Sequence, residues 1–355
     1  MSKIAVIGAG IAGLTAASEL QAAGHAVTLF EKSRGPGGRC ATRRSAAGPF
    51  DHGVPGFRAA TPAFRAQVLS WLDAGWVALD GATDESIAPP ATALRVFGVP
   101  SMNTLAQQLA AHLPAGVELR SDTPVAAIEP AGSAATDTPG RRGWRLRFPD
   151  GQLDPVRFDA TVVAVPAEQA AVLLGPDADM ADAMRKTRSD PCWTVMAAWS
   201  DPLQTLTEDH RNIDPIGALS MALRDDARVG RPVMAGIDSR WVLHASAEWS
   251  ARHLEANAAD VTTELLSAFA RVCDGDPVAP THVAAHRWRY AQVGAPRTER
   301  FGWNAALRLG TCGDAWHGAG EPAAQRADGV ERAWLSARAI AREMAQVLHL
   351  DRDDR

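Results

Sequence analysis

The stretch Lys3-Ile4-Ala5-Val6-Ile7-Gly8-Ala9-Gly10-Ile11-Ala12-Gly13 decides the fold. A short apolar, β-prone run leads straight into a G-x-G-x-x-G turn. A helical pattern follows to Ala23, with Gly24 placed to cap its C-terminus. Val27-Thr28-Leu29-Phe30 then reads as a second strand, ending on Glu31 eighteen positions after Gly13. Strand, glycine turn, helix, strand and acid in that order make a dinucleotide-binding unit, far more specific than the glycines alone. Gly8 permits the tight turn, Gly10 lets a pyrophosphate approach the backbone, and Gly13 lets the helix pack on the strand. Ile11 and Ala12 belong to the helix start, whose free N–H groups and positive dipole end suit phosphate. Glu31 is placed to accept hydrogen bonds from ribose hydroxyls and disfavours a 2′-phosphate there.

Lys32-Ser33-Arg34-Gly35-Pro36-Gly37-Gly38-Arg39 follows the acid directly. Gly37-Gly38-Arg39 resembles the second fingerprint of the flavin amine-oxidase superfamily, where a glycine loop passes the pyrophosphate and the arginine supports it. The resemblance points to FAD rather than NAD and implies Lys32, Gly38 and Arg39 as cofactor neighbours. Thr123–Ile128 resembles the strand whose backbone, at Val125, meets the adenine, and Thr161–Pro166 resembles the buried strand that re-enters the FAD domain. Leu307–Asp314 reads as a strand ending in Gly313-Asp314, an acid that in flavoproteins reaches the ribityl or pyrophosphate region. The helix from about Gly329 to Leu348 is implied to bring its N-terminal end, at Val330, near the flavin ring, where its dipole stabilises negative charge. Gly318-Ala319-Gly320-Glu321-Pro322-Ala323 nearly repeats the nucleotide fingerprint. Pro322 and the polar residues after it do not continue an amphipathic helix, so this segment reads as a loop.

Composition agrees with a soluble globular protein. The 355 residues suggest two domains, and 46% hydrophobic with 22% charged residues excludes a disordered chain. No apolar run is long enough to span a bilayer, and a net charge of -5 argues against nucleic acid as a partner. Cys40, Cys192, Cys273 and Cys312 are scattered, which argues against a zinc site or a redox pair and suits a reducing cytoplasm. With no second dinucleotide unit either, electrons are expected to enter from a substrate stacked directly on a non-covalently bound flavin.

The flavin signals lie at both ends and in the middle, so the domains interleave. The expected architecture is α/β (α+β overall): a Rossmann-type FAD-binding domain with an interleaved mixed-sheet substrate domain. Residues 1–60, 98–165 and 300–355 are assigned to the first, 61–97 and 166–299 to the second. Helices are expected from Thr61-Pro62 to Ala74, over Ser101–Leu113, and near 178–187 and 257–273. Trp144–Phe148, Trp193–Trp199, Gly217–Leu223, Arg240–Ser246 and His282–Tyr290 read as strands, and a strand near Val156 is expected to return from the Pro149-Asp150-Gly151 turn.

Beyond the flavin fingerprint, Trp241–Ser246 with Trp249-Ser250, Ala285–Tyr290, and Val330-Glu331 with Ala333–Ser336 make the chain resemble the bacterial renalases over nearly its whole length. It departs after Asp51, where that family tends to read Gly-Ala-Gln-Tyr-Phe and this chain has Gly53-Val54-Pro55-Gly56-Phe57. It departs again between Asp314 and Gly329, and at Arg332 and Ala337, where the family often has glycine. The resemblance implies oxidation of misreduced nicotinamide, the 2- and 6-dihydro isomers of NAD(P). Hydride would pass to flavin N5, and O2 would reoxidise the flavin to give H2O2. Such a reaction needs positioning more than acid–base catalysis. His244 and Trp288 are the positioning candidates; each also reads as a buried core residue. His52 and His317 flank glycine-rich loops and are weaker candidates. Alternatives are an amine oxidase, a flavin dehydrogenase or desaturase of another small substrate, and a non-catalytic flavin-binding redox sensor. A tyrosine-pair amine cage is impossible, because Tyr290 is the only tyrosine in the chain.

Overall fold

In the computed structural model, the residues described are 1–80, 94–132, 143–201, 203, 210–211, 213–214, 217–273, 279–317 and 327–353. The opening strand Lys3–Ile7 lies at the centre of a six-stranded sheet. The spatial order is Gly302–Asn304, Leu309–Thr311, Ala160–Val163, Lys3–Ile7, Ala26–Phe30 and Val117–Arg120. All neighbours are parallel except the first pair. Such a sheet buries both faces. Ile4 and Val6 accordingly pack into one core with the helix Ile11–Ala22 and the C-terminal helix Gly329–Asp353, while Ala5 and Ile7 pack into another with Phe30, Trp144 and Phe158. The first helix ends as expected: Gly24 takes a φ of 83°, and the His25 and Gly24 amides cap the Leu20 and Gln21 carbonyls.

The helix Pro62–Asp73 starts at Thr61, whose side chain accepts from the Phe64 amide. Phe64, Val68 and Trp71 from this helix, with Val77, Val96 and Phe97, join the core of the first helix rather than forming one of their own.

The substrate sheet has the order His210–Arg211, Leu219–Arg224, Ser239–Ala245, Ser189–Trp199, His282–Val293, and its described pairings are antiparallel. Alternation along the strands divides its chemistry between two faces. Trp193, Val195, Trp199, Trp241 and Leu243 pack against Val261, Leu265 and Phe269 of the helix Ala258–Val272. Cys192, Thr194, His244, His286 and Trp288 fall on the opposite face by the same alternation. There Met196, Ala198 and Val242 pack with Ala47 and Phe50 from the nucleotide-binding part. A Rossmann-type, mostly parallel sheet interleaved with a second, antiparallel sheet is therefore the architecture of this chain.

Two expectations are corrected. The strand expected over Thr123–Ile128 begins only at Ala127 and runs to Pro130, paired with Trp144–Arg147. Upstream, Pro124 has no N–H, and the Thr123 amide donates instead to the Glu31 carbonyl. No strand forms around Val156. Pro155 interrupts it, the Val156 amide turns onto Asp154 Oδ1, and only isolated bridges at Leu153 and Phe158 return to Arg147 and Trp144. The Gly318–Ala323 segment lies outside the described residues.

Candidate active site

The glycine turn separates packed positions from open ones. A Cβ on Gly13 would overlap the Gly8 carbonyl oxygen, and Gly8 itself holds a φ of 102° against Ala164. A Cβ on Gly10 would meet nothing within 4 Å, and the same is true at Gly313, which takes a φ of 143°. Packed glycines at the turn with open space above Gly10 and Gly313 form a cradle of the kind a pyrophosphate needs. Glu31, 6% exposed, receives the Ala9 and Ser33 amides, both at 2.8 Å, so its carboxylate is fixed at the end of its strand. Ile11 and Ala12 are buried in the first turn of the helix. Lys32 and Gly38 are exposed, and a Cβ on Gly38 would lie 3.6 Å from the Gly10 Cα. Val125, half-buried, follows the Thr123–Glu31 backbone bond and so stays near the acid. These residues fit an FAD.

Arg39 and Asp314 join the two fingerprints. Arg39 Nη1 and Nη2 donate to Asp314 Oδ2 and Oδ1, both at 2.6 Å. Asp314 also neighbours the C-terminal helix: Arg332 Nε donates to its carbonyl at 3.0 Å, and a Cβ on Gly329 would lie 3.6 Å from its Oδ2. Asp328 caps that helix by accepting the Val330 and Glu331 amides, and burial pushes its own carboxyl up to about 6.

Beside Arg39 lies a cavity of about 240 Å³. One wall is Gly53, Val54 and Pro55. The other is the substrate sheet, with Cys192, His244, Met221 and Trp288. His244 and Trp288, expected from sequence, both border it. The Trp288 indole N–H donates to the His52 carbonyl at 2.8 Å, and its ring lies 3.3 Å from where a Gly53 Cβ would be. His244 Nδ1 is 3.7 Å from Cys192 Sγ. Burial pushes the Cys192 thiol up to about 11, so it stays neutral.

His52 does not line the cavity. It stands behind Trp288, with ring centroids 5.0 Å apart, and edge-on to His286 at 4.8 Å. Burial, reinforced by His286, Arg43 and His244, holds it near a pKa of about 3. His317 is fixed by backbone bonds to Arg297 and Glu299 and is not a lining residue. Arg287 points the other way from Trp288, onto Leu254 and Glu255. Sequence reasoning passed over Cys192, Ser220, Met221, Asp190 and Gln292 as lining residues. Period-two alternation from His244 and Trp288 is the signal that finds Cys192.

The fold and this cavity define the class: a dinucleotide-binding oxidoreductase with an interleaved substrate domain. A family model for NAD(P)-binding Rossmann-like domains matches residues 6–69, and one for flavin containing amine oxidoreductases matches residues 77–345. The chain belongs to the flavin containing amine oxidoreductase family. Fold and family together support an FAD cofactor.

Among solved structures, a protoporphyrinogen oxidase candidate from Exiguobacterium sp. 255-15 shares the fold with a TM-score of 0.69 at 14% identity, covering 97% of this chain and 99% of that one. Putrescine oxidase bound to putrescine has a TM-score of 0.62 at 14% identity, covering 97% and 98%. The hydroxyneurosporene desaturase of Cereibacter sphaeroides is 51% identical over 51 residues, 14% of this chain and 10% of that protein. The chain thus spans about a tenth of the length of the curated relatives it matches. Among the described residues, no helix is long and apolar enough to cross a membrane.

Proposed function

We propose that the chain is an FAD-dependent oxidase that takes a hydride from a small substrate held between the Gly53–Pro55 wall and the His244–Trp288 face. The observation that carries this reading is the cavity itself, bordered at once by Arg39 of the second fingerprint and by the substrate sheet. FAD bound along the glycine turn would supply the hydride acceptor and, through O2, produce H2O2. The chain's contribution is placement. Trp288 offers a fixed flat wall, His244 a ring nitrogen, and Arg39 a cation tied by Asp314.

For the substrate we favour a misreduced dihydronicotinamide nucleotide. Among the described lining residues the ionisable groups are Arg39, Asp190, Cys192 and His244. Arg39 is paired, the Cys192 thiol is neutral, and Asp190 is exposed. That set suits a substrate whose oxidation removes no proton from the reacting carbon. The comparisons speak more directly for a broader second reading: an amine oxidase, or a flavin dehydrogenase or desaturase of another small substrate. Asp190 is the lining carboxylate an ammonium would meet.

We assign 61–80 and 94–97 to the FAD-binding domain, because Phe64, Val68, Trp71 and Val96 share its core, and 166–299 to the substrate domain. The four free cysteines support a cytoplasmic setting.

Anaerobic mixing with dihydro-NAD isomers, NADH and putrescine, followed through the flavin's visible absorbance, separates the readings. Bleaching by the isomers alone, with recovery in air, supports the first. Bleaching by putrescine moves the assignment to amines. A yellow protein that none of them bleaches removes both substrates.

A further inference from the structure

The segment that forms the cavity wall of the FAD-binding domain is bonded within that domain, Val54 N–H to the Arg39 carbonyl and Thr42 to Asp51, and is also gripped from the other domain. The wall, Gly53–Pro55, is the end of the segment Asp51–Pro55. At its first end the Asp51 carboxylate is gripped by Arg231 Nη2 and accepts the Met102 amide at 3.0 Å. The Asp51 amide donates to Asp225 Oδ1 at 3.3 Å, and Arg231 Nη2 reaches the same oxygen at 3.0 Å. At the other end, the Pro55 carbonyl accepts from Arg228 Nη1. Arg231 Nη1 also donates to the Pro100 carbonyl, just ahead of the helix Met102–Ala111. Both arginines lie on the connection between the strands Leu219–Arg224 and Ser239–Ala245.

Asp51, Asp225 and Arg231 expose 2% or less of their side chains. Arg240, equally buried, stands 4.0 Å from Asp225. Apolar packing could cover the same surface at lower cost, but it would tolerate sliding. A buried ion network is directional, and its attested use is to fix register.

We infer that Arg231 and Arg228 are positioning residues for the candidate site: the substrate domain sets where the Gly53–Pro55 wall stands, and so the width of the cavity that substrate and flavin share. This rests on the reading of that cavity as the active site. Neither arginine lines the cavity; both act through Asp51 and Pro55.

The test is hydrogen exchange on the full chain, wild type against Arg231→Met, Arg231→Lys and Arg228→Ala, with visible circular dichroism of bound FAD as a second readout. Arg231→Met is expected to speed exchange of peptides spanning 51–55 and 102–105 at least tenfold, with residues 11–22 unchanged. It is also expected to weaken FAD binding about tenfold and alter the flavin dichroism, with partial rescue in Arg231→Lys. Arg228→Ala is expected to loosen 51–55 without lowering the global melting midpoint, and it carries the test if Arg231→Met does not fold. Uniformly faster exchange, or unchanged exchange at 51–55 with superimposable flavin dichroism, overturns the inference. A wild type that takes up no FAD removes the reading of the site, while the exchange measurement still decides whether the arginines hold the wall.

Discussion

Arg39 and Asp314, 275 positions apart in the chain, form a two-pronged ion pair with both N···O distances at 2.6 Å. It closes the N-terminal glycine loop onto the C-terminal strand and sets Arg39 at the edge of the candidate cavity. Asp314 is the more buried partner, 6% exposed at its side chain against 24% for Arg39. Removing the acid leaves the arginine unpaired in a partly buried place. Asp314→Ala is expected to cost about 3 kcal/mol in urea unfolding, the low end for breaking such a pair. The same variant is expected to bind FAD at least tenfold more weakly by fluorescence titration.

The two kinds of glycine respond oppositely. Gly13→Ala puts a methyl into the Gly8 carbonyl and is expected to give no soluble folded protein. Gly10→Ala meets nothing within 4 Å and precedes the helix at a φ of -80°. It is expected to change stability by less than about 1 kcal/mol. It is also expected to weaken FAD binding tenfold or more, because the methyl occupies the cradle. Equal FAD affinity in wild type and Gly10→Ala refutes the placement of the pyrophosphate.

His52 makes stability depend on acid. Its folded pKa of about 3 lies below the ordinary 6.5, chiefly because burial disfavours the cation. Below pH 6.5 the unfolded chain takes up a proton that the folded one refuses. This contribution is complete above pH 6.5 and is lost as pH falls toward 3, at up to about 1.4 kcal/mol per pH unit. Asp225 works in the opposite sense. Burial raises its folded pKa to about 6 from 3.8, so its contribution is present at low pH and is lost as pH rises through that window. His52→Gln is expected to flatten the difference in unfolding free energy between pH 6.5 and pH 4; an unchanged slope assigns the acid sensitivity elsewhere.

Burial also silences the thiols. Cys192 is pushed up to about 11, and Cys40 and Cys312 to about 12. The thiolate is the reactive form. Iodoacetamide at pH 8 is therefore expected to leave these three unlabelled in the folded protein and to label them readily in urea. Rapid labelling of Cys192 in the native state would show its thiol to be ionised in the cavity.

Trp288→Phe keeps the flat wall and removes the indole N–H that the His52 carbonyl accepts. A loss of about 1 kcal/mol in stability is expected from that bond. FAD is expected to remain bound, with the rate of anaerobic bleaching by substrate reduced at least fivefold. A normal rate would reduce Trp288 to a packing residue.

The nucleotide-binding half was legible because its signals are local. Lys3–Ile7, the glycine turn, the first helix and Glu31 follow one another in the chain, and each is dictated by backbone sterics or by the need to bury an apolar run. Strand periodicity likewise located His244 and Trp288 on their strands. Local pattern misread the segment around Thr123 and Val156, whose amides go to the Glu31 carbonyl and the Asp154 side chain rather than to a neighbouring strand. Sequence therefore determined the Rossmann unit, the cofactor class and the strands that carry His244 and Trp288. Only the tertiary structure decided that Arg39 meets Asp314, that Phe64, Val68 and Trp71 pack with the first helix, that His52 stands behind Trp288, and that Arg231 reaches Asp51. Those pairings join positions tens to hundreds of residues apart. They are selected by which surfaces close together on burial, a choice that no short window of the chain contains.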